Sequence, residues 1–194
     1  RSFVERVEVY PDNIEIEAVH TRAEPATQYW EYPTSRIHWS VVRMPTDLMR
    51  PRLFDPRIGF WMETYYDDGA DYTANTRGSI TRWRLEKRDS SAAVSEPVKP
   101  IVFYIDPLTP AKWRPYIRQG IEAWQPAFEA AGFKNAIIAK SPPADPNWSV
   151  DDFRNSVVRW YGRVPRDKRP GGGTAVPVID QRTGEILRAN VYIS

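Results

Sequence analysis

The segment Ile101-Val102-Phe103-Tyr104-Ile105 contains no polar break. A strand with one wet face alternates apolar and polar residues, so an unbroken run of this kind belongs to a strand covered on both faces. The cover follows directly. Asp106-Pro107-Leu108-Thr109-Pro110 reads as a turn, and Ile117, Ile121, Trp124, Phe128 and Ala131 then recur at spacings of four, three, four and three. That is one apolar stripe on a helix. Pro115 suits a first helical turn and Gly132 a helical stop. Pro126 lies inside the stripe, removes a backbone hydrogen bond at a cost of about 3 kcal/mol, and predicts a kink.

Residues 136–139 and 156–160 read as two further strands. Residues 174–179 and 185–193 read as two more, joined by Asp180-Gln181-Arg182-Thr183-Gly184, a five-residue hairpin loop with its glycine. Ser149, followed by Asp151 and Asp152, predicts a short helix start, and Gly171-Gly172-Gly173 a flexible stretch. The order strand, helix, strand, strand, hairpin predicts an α/β layer with a mixed sheet.

Upstream the grammar differs. Val7, Val9, Ile14, Ile16 and Ala18 interleave with Glu8, Glu15 and Glu17, with a Pro11-Asp12-Asn13 turn between two strands. Residues 37–44 form another strand, ended by Pro45. Residues 58–66 are aromatic and strand-like, turned by Asp67-Asp68-Gly69. In residues 80–85 the alternation puts Trp83 and Leu85 inward. Residues 1–87 therefore predict a small, mostly antiparallel β unit. The polar, proline-flanked stretch 88–100 reads as a linker or surface crossing, so residues 1–97 and 98–194 are expected as two domains. The fold class expected is α+β or α/β: an antiparallel β region followed by a mixed sheet with a long helix.

Composition narrows the chemistry. There are no cysteines, so disulfides and thiolate metal sites are excluded, and there are only two histidines, His20 and His38. Charge is near balance, 27 Lys and Arg against 25 Asp and Glu, which gives no field for nucleic acid. No apolar run is long enough for a membrane-spanning helix. The chain opens at Arg1 and closes in a strand-like run, the pattern of a trimmed piece.

Most candidate sites have a simpler explanation. His20 and His38 lack ligand spacing and read as surface or satisfied core histidines. Asp67, Asp68 and Asp71 around Gly69 lack the spacing and closing glutamate of a calcium loop. Glu122 and Glu129 could form a two-carboxylate pair only in a cleft; Glu122 is placed to pair with Arg118. The group Arg43, Arg50, Arg52 and Arg57 could clasp an anion, but Asp47 and Asp55 argue for local ion pairs. Tyr29, Trp30, Tyr32, Trp39, Trp61, Tyr65 and Tyr66 could stack on a sugar, though alternating aromatics more often pack a core.

Several stretches together resemble a bacterial family of large zinc-dependent metalloproteases of the metzincin type. They are residues 101–106, Thr109-Pro110, Trp113-Arg114-Pro115-Tyr116-Ile117, Gly120-Ile121-Glu122-Ala123-Trp124 and residues 127–137. Asp145-Pro146-Asn147-Trp148-Ser149, Asp152-Phe153-Arg154, Val158-Arg159-Trp160 and residues 180–187 continue the likeness. Pro51-Arg52 and residues 55–60 resemble the accessory β region that precedes the protease in that family. Residues 161–178 depart from the family pattern.

The resemblance implies a twisted sheet over a long helix, then a helix carrying His-Glu-x-x-His-x-x-Gly-x-x-His, with zinc-activated water and the motif glutamate as base. No residue here matches that motif. The chain is therefore expected as an inactive piece that holds no catalytic zinc, the zinc belonging to the parent protein. The resemblance also implies a polypeptide substrate for the parent, an extracytoplasmic location, and substrate pairing by strand addition. The matching edge strand is 174–179, with Thr174, Ala175, Val176 and Val178 as candidate substrate-binding residues; Pro177 suits an edge and deletes one donor. A half-built catalytic domain would leave apolar surface uncovered and self-associate. The alternative is a complete non-catalytic module that binds peptide or glycan.

Overall fold

The computed structural model describes residues 2–21, 34–66, 76–161 and 172–193, with the side chains of 65, 66, 76 and 77 outside that description. Packing groups the chain into two units: Arg1–Pro45 with Asp151–Arg154, and Thr46–Val150 with Asn155–Ser194.

In the first unit the apolar–acidic alternation builds a three-stranded antiparallel sheet in the order β1 (Phe3–Val9), β2 (Asn13–Thr21), β3 (Thr34–Val42). The expected proline turn joins the first two, with Tyr10 N–H donating to Asn13 O at 2.8 Å. The register sets Val4, Val7 and Val9 beside Ala18, Ile16 and Ile14, and these beside Ile37, Trp39 and Val41. Directly paired residues share a face, so all these apolar side chains leave one side of the sheet. Arg6, Glu8, Asn13, Glu15, Glu17, His38 and Ser40 leave the other.

Burial runs against what such alternation normally signals. Asn13 and Glu15 are only 3% and 4% exposed, while Val9 and Val41 are 72% and 56% exposed. The cause is the segment Asp151–Arg154, which joins this unit on its polar side. Asn13 Nδ2 donates to Asp151 O at 3.0 Å, and Asn13 Oδ1 accepts Phe153 N–H at 2.9 Å. No helix forms at residues 149–154, contrary to the sequence expectation. Asp152 instead accepts the Arg154 backbone N–H at 3.0 Å and its guanidinium at 2.6 Å, closing a turn too tight for a helical ladder.

The second unit begins with a hairpin of β4 (Met62–Tyr66) and β5 (Thr76–Ile80). β4 is shorter than the 58–66 expected, because Asp55 O accepts Ile58 N–H at 3.0 Å and holds residues 55–58 in a turn. The Asp67-Asp68-Gly69 turn lies outside the described residues. The strand expected over 80–85 lies earlier in the chain. Beyond it, Arg82 alone pairs with the strand that follows Gly184, donating its N–H to Gly184 O and accepting Ile186 N–H, each at 2.9 Å. Trp83 and Leu85 do point into the core, and Trp83 meets Phe103 edge-on with centroids 6.2 Å apart.

That core belongs to a five-stranded mixed sheet of β6 (Ile101–Ile105), β7 (Ile137–Lys140), β8 (Ser156–Trp160), β9 (Gly173–Asp180) and β10 (Glu185–Ile193). The order is β7-β6-β8-β10-β9, with every pair parallel except β10 and β9. Ile101, Phe103, Ile137, Val158 and Ala189 form its buried centre, and Ile117, Ile121 and Phe128 cover it from the helices. A mixed α+β fold, mostly sheet, is thus what the apolar run and stripe built.

The kink at Pro126 is sharper than expected. α1 (Arg114–Glu122), led by a 3-10 turn at Ala111–Trp113, stops, and a separate α2 (Gln125–Ala130) starts with Pro126 in its first turn. There proline has no helical N–H to lose. The break turns Trp124 off the stripe, and it is exposed. Gly132 ends α2 at φ +89°, where Gly132 N–H bonds Glu129 O at 2.9 Å and Phe133 N–H bonds Phe128 O at 2.8 Å. This pair is the Schellman arrangement that favours glycine.

Of the two alternatives for residues 88–100, the structure shows the surface crossing: most of the segment is exposed, and it is tied down by its main chain. Arg88 N–H bonds Glu96 O at 2.9 Å, Val98 N–H bonds Glu86 O at 2.8 Å, and Ser95 N–H bonds Gly132 O at 3.1 Å. Pro97 is fully buried. Lys87 Nζ donates to Ala92 O at 2.9 Å and to Ala93 O at 2.7 Å.

Candidate functional site

β9 is the last strand of the sheet order and its one antiparallel member. Which of its main-chain groups face outward follows from its neighbour. Ala189 N–H on β10 points away from β9, donating to Ser156 Oγ on β8 at 3.1 Å. A strand residue sends its N–H and C=O to the same side, so the Ala189–Pro177 pair is a non-hydrogen-bonded one, and Pro177 turns its main chain to the open edge. Ile193 O accepts Tyr161 N–H at 2.7 Å, and Ile186 N–H donates to Arg82 O at 2.9 Å. Their partners Gly173 and Ile179 therefore face outward too, with Ala175 between them.

Among the described residues the open edge thus presents Gly173, Ala175, Pro177 and Ile179. Of the candidate substrate residues, Ala175 offers both N–H and C=O to an added strand. Pro177 offers only its carbonyl. Thr174, Val176 and Val178 turn their main chains toward β10, and their side chains share a face with Tyr192, Asn190 and Arg188. The expected missing donor at Pro177 falls on the outward side of the strand.

The hairpin that holds β9 in place is locked by Asp180. Asp180 O accepts the N–H groups of Thr183 at 3.0 Å and Gly184 at 2.8 Å. Its carboxylate accepts Arg182 N–H at 3.0 Å, Nε at 2.9 Å and the terminal guanidinium nitrogen at 2.7 Å. The Arg182 hydrogen bond holds this carboxyl below its ordinary range, against the opposing effect of burial. Asp55 with Arg57, and Asp152 with Arg154, repeat the same Asp-x-Arg fork. The sequence holds four Asp-x-Arg triplets, of which Asp167-Lys168-Arg169 lies outside the described residues; the recurrence was visible there and was missed.

The other candidates fall apart in space. His20 and His38 leave opposite faces of the first sheet and cannot share an ion. His20 Nδ1 lies 3.5 Å from Ser2 Oγ. His38 Nε2 contacts the Glu15 carboxylate, which also accepts Ser40 Oγ at 2.5 Å and the Asn13 amide. Ser40 and His38 bond the same carboxylate and not each other, so the nucleophile–base bond of a catalytic triad is missing. Among the described residues no group of three His, Asp or Glu side chains could hold a metal. The residues described do not fit a catalytic zinc.

Glu122 pairs with Arg118 at 3.6 Å, as placed by the helical spacing, and Glu129 stands on the separate α2. Arg43 pairs with Asp12 and Arg57 with Asp55, each at 2.5 Å, while Asp47 pairs with Arg84 at 2.7 Å; no anion clasp is assembled from them. Trp39 and Trp61 are exposed, and Tyr29, Trp30, Tyr32 and Asp71 lie outside the described residues. A different aromatic group forms instead. Trp113 stacks on Trp160 with centroids 6.4 Å apart, Tyr116 lies 6.0 Å from Trp113, and Lys112 Nζ sits 5.0 Å over the Trp113 ring. The signal for it, two aromatics three apart at a helix start, was present but had no visible partner at Trp160.

No described helix is long and apolar enough to cross a membrane. Residues 1–88 match a family model described as a domain of unknown function, DUF5117. No curated protein and no solved structure matches the chain.

Proposed function

We propose that this chain is part of an extracytoplasmic zinc metallopeptidase of the metzincin type, and that it supplies the substrate-pairing edge rather than the metal. The observation that carries this proposal is β9: an exposed antiparallel edge on an otherwise parallel sheet, at the position the resemblance assigns to substrate. An extended peptide would add as a further strand, taking main-chain bonds from Ala175, Ile179 and the Pro177 carbonyl. The 194 residues contain no His-Glu-x-x-His run, so water activation lies with other residues. Its own part is to bind and orient.

Titration of the isotopically labelled chain with an unlabelled extended peptide tests this. The expected result is amide shifts centred on Ala175 and Ile179. Shifts confined to other elements, or none at saturating peptide, overturn the edge assignment. Hydrolysis of a protein substrate by the purified chain, or stoichiometric zinc in it, overturns the division of labour. Sequencing the parent gene past Ser194 tests the larger proposal, which expects the three-histidine helix motif there.

A non-catalytic binding module is the competing function, favoured by the exposed Trp113 and Tyr116 beside the half-buried Trp160, an aromatic group that suits a glycan. Shifts at those rings with oligosaccharide, and none at β9 with peptide, would decide for it.

A further inference from the structure

We infer that the open apolar face of the first sheet pairs with the same face of a second copy of this chain. This goes beyond the peptidase proposal and does not rest on it. Each strand contributes three apolar residues to the face: Val4, Val7 and Val9 from β1, Ile14, Ile16 and Ala18 from β2, Ile37, Trp39 and Val41 from β3. None of these carries a charge. His20 and Ser35 continue the face beyond Ala18 and Ile37 as a polar margin. The charges of the sheet are committed to the other side, where Arg6 pairs with Glu8 at 2.7 Å and Glu17 at 2.8 Å, and Glu15 is enclosed by Asn13, His38 and Ser40.

Antiparallel sheets usually bury the apolar face and wet the polar one. Here Asn13 and Glu15 on the polar face are the most deeply buried residues of the sheet, Ala18 is the one buried member of the apolar block, and six of the nine apolar positions are exposed. The exposed apolar surface amounts to about 600 Å², at the size that marks association sites and near the about 800 Å² each partner brings to a stable interface. A second copy is the occupant this surface fits best. A charged partner would desolvate its ions against a face with no counter-charge. An identical uncharged face brings none, and two such sheets can interdigitate about 10 Å apart. A two-fold axis through the block places Ile16, at its centre, close to its own copy.

Sedimentation velocity on the full 194-residue chain tests this. The expected result is a reversible, concentration-dependent step from the 22.5 kDa monomer to a closed dimer. Val9→Arg combined with Val41→Arg, both at exposed positions, should weaken the dimer at least about a hundredfold. Leu108→Arg, exposed in a turn of the other unit, should leave it unchanged. Because the chain has no native cysteine, Ile16→Cys should give a covalent dimer with a short bis-maleimide cross-linker, facing sheets standing too far apart for a direct disulfide. A chain that stays monomeric at every concentration, open-ended polymers, or a dimer that survives the double arginine variant overturns the proposal. A monomer that instead floats with phospholipid vesicles assigns the face to lipid and overturns it equally.

Discussion

Ala189 donates its backbone N–H to the hydroxyl of Ser156, 3.1 Å away, and so turns its back on Pro177 across the β9–β10 pair. That one bond sets the parity of the whole edge strand, because main-chain direction alternates residue by residue.

Hydrogen exchange reads this parity directly. The amides of Ala175 and Ile179 should exchange near the unprotected rate, while those of Val176 and Val178, bonded to β10, should be slowed by roughly a hundredfold or more. Equal protection at Ala175 and Val176 would show that the outward register is wrong. Pro177→Val should add an outward donor at a position where proline now guards an exposed edge, and should raise strand-mediated aggregation measured by thioflavin fluorescence.

Asp180 should make the fold sensitive to acid. Its carboxyl is held below the ordinary value of 3.8 by Arg182, so the folded chain binds its proton less readily than the unfolded chain does. The contribution is complete above the ordinary carboxyl range and is lost as pH falls through the depressed folded-state value. Asp180→Asn should lower stability by about 2 kcal/mol at neutral pH. In urea titrations, the gap between variant and wild type should narrow as pH falls toward the folded-state value. A gap that is constant with pH would remove the charge from the explanation.

Two glycines separate conformational strain from crowding. Gly184 has φ +75°, and a Cβ there would stand 2.4 Å from Ile80 O. Gly132 has φ +89°, and its Cβ would meet Ala93 O at 3.0 Å and the movable end of Lys87 at 3.1 Å. Both replacements by alanine carry left-handed strain and meet a backbone oxygen, but the contact at Gly184 is far tighter, 2.4 Å against 3.0 Å. Gly184→Ala should destabilise by about 3 kcal/mol and Gly132→Ala by about 1–2 kcal/mol. Thermal denaturation of the two variants checks the order.

Lys87→Met keeps the aliphatic stem and deletes the bonds to the Ala92 and Ala93 carbonyls. A global loss of about 1 kcal/mol is expected, with faster exchange concentrated in residues 88–97. Unchanged exchange there would mean that the ammonium does not hold the segment.

What could be read without a structure was periodic. The unbroken Ile101–Ile105 run, the stripe through Ile117, Ile121 and Phe128, the stop at Gly132, and the hairpin at Asp180 to Gly184 were legible because each depends on residues close in the chain. The strand 174–179 was named as an edge by the resemblance, and Pro177 agreed with it because a proline cannot donate to a central ladder. The Asp-x-Arg forks were equally local, and their repetition at Asp55, Asp152 and Asp180 was open to notice.

The misreadings share one cause. Residues 88–100 read equally as linker or surface crossing because serine, proline and charge are polar wherever they stand; composition does not say that Gly132 O and Glu86 O will take their N–H groups. The Ser149 helix start failed because Asp152 found its own Arg154. The first sheet is the sharpest case. Its alternation specified two faces, one apolar and one polar, and left open which would be covered. The segment Asp151–Arg154, more than a hundred residues downstream, closed on Asn13 and settled the matter in favour of the polar face. The chain by itself determined periodicity, turn chemistry and strand order of appearance, all of which are local. Tertiary structure alone decided which face is buried, which main-chain groups reach the open edge, and which polar side chains find partners, because those depend on contacts whose sequence separation no local pattern encodes.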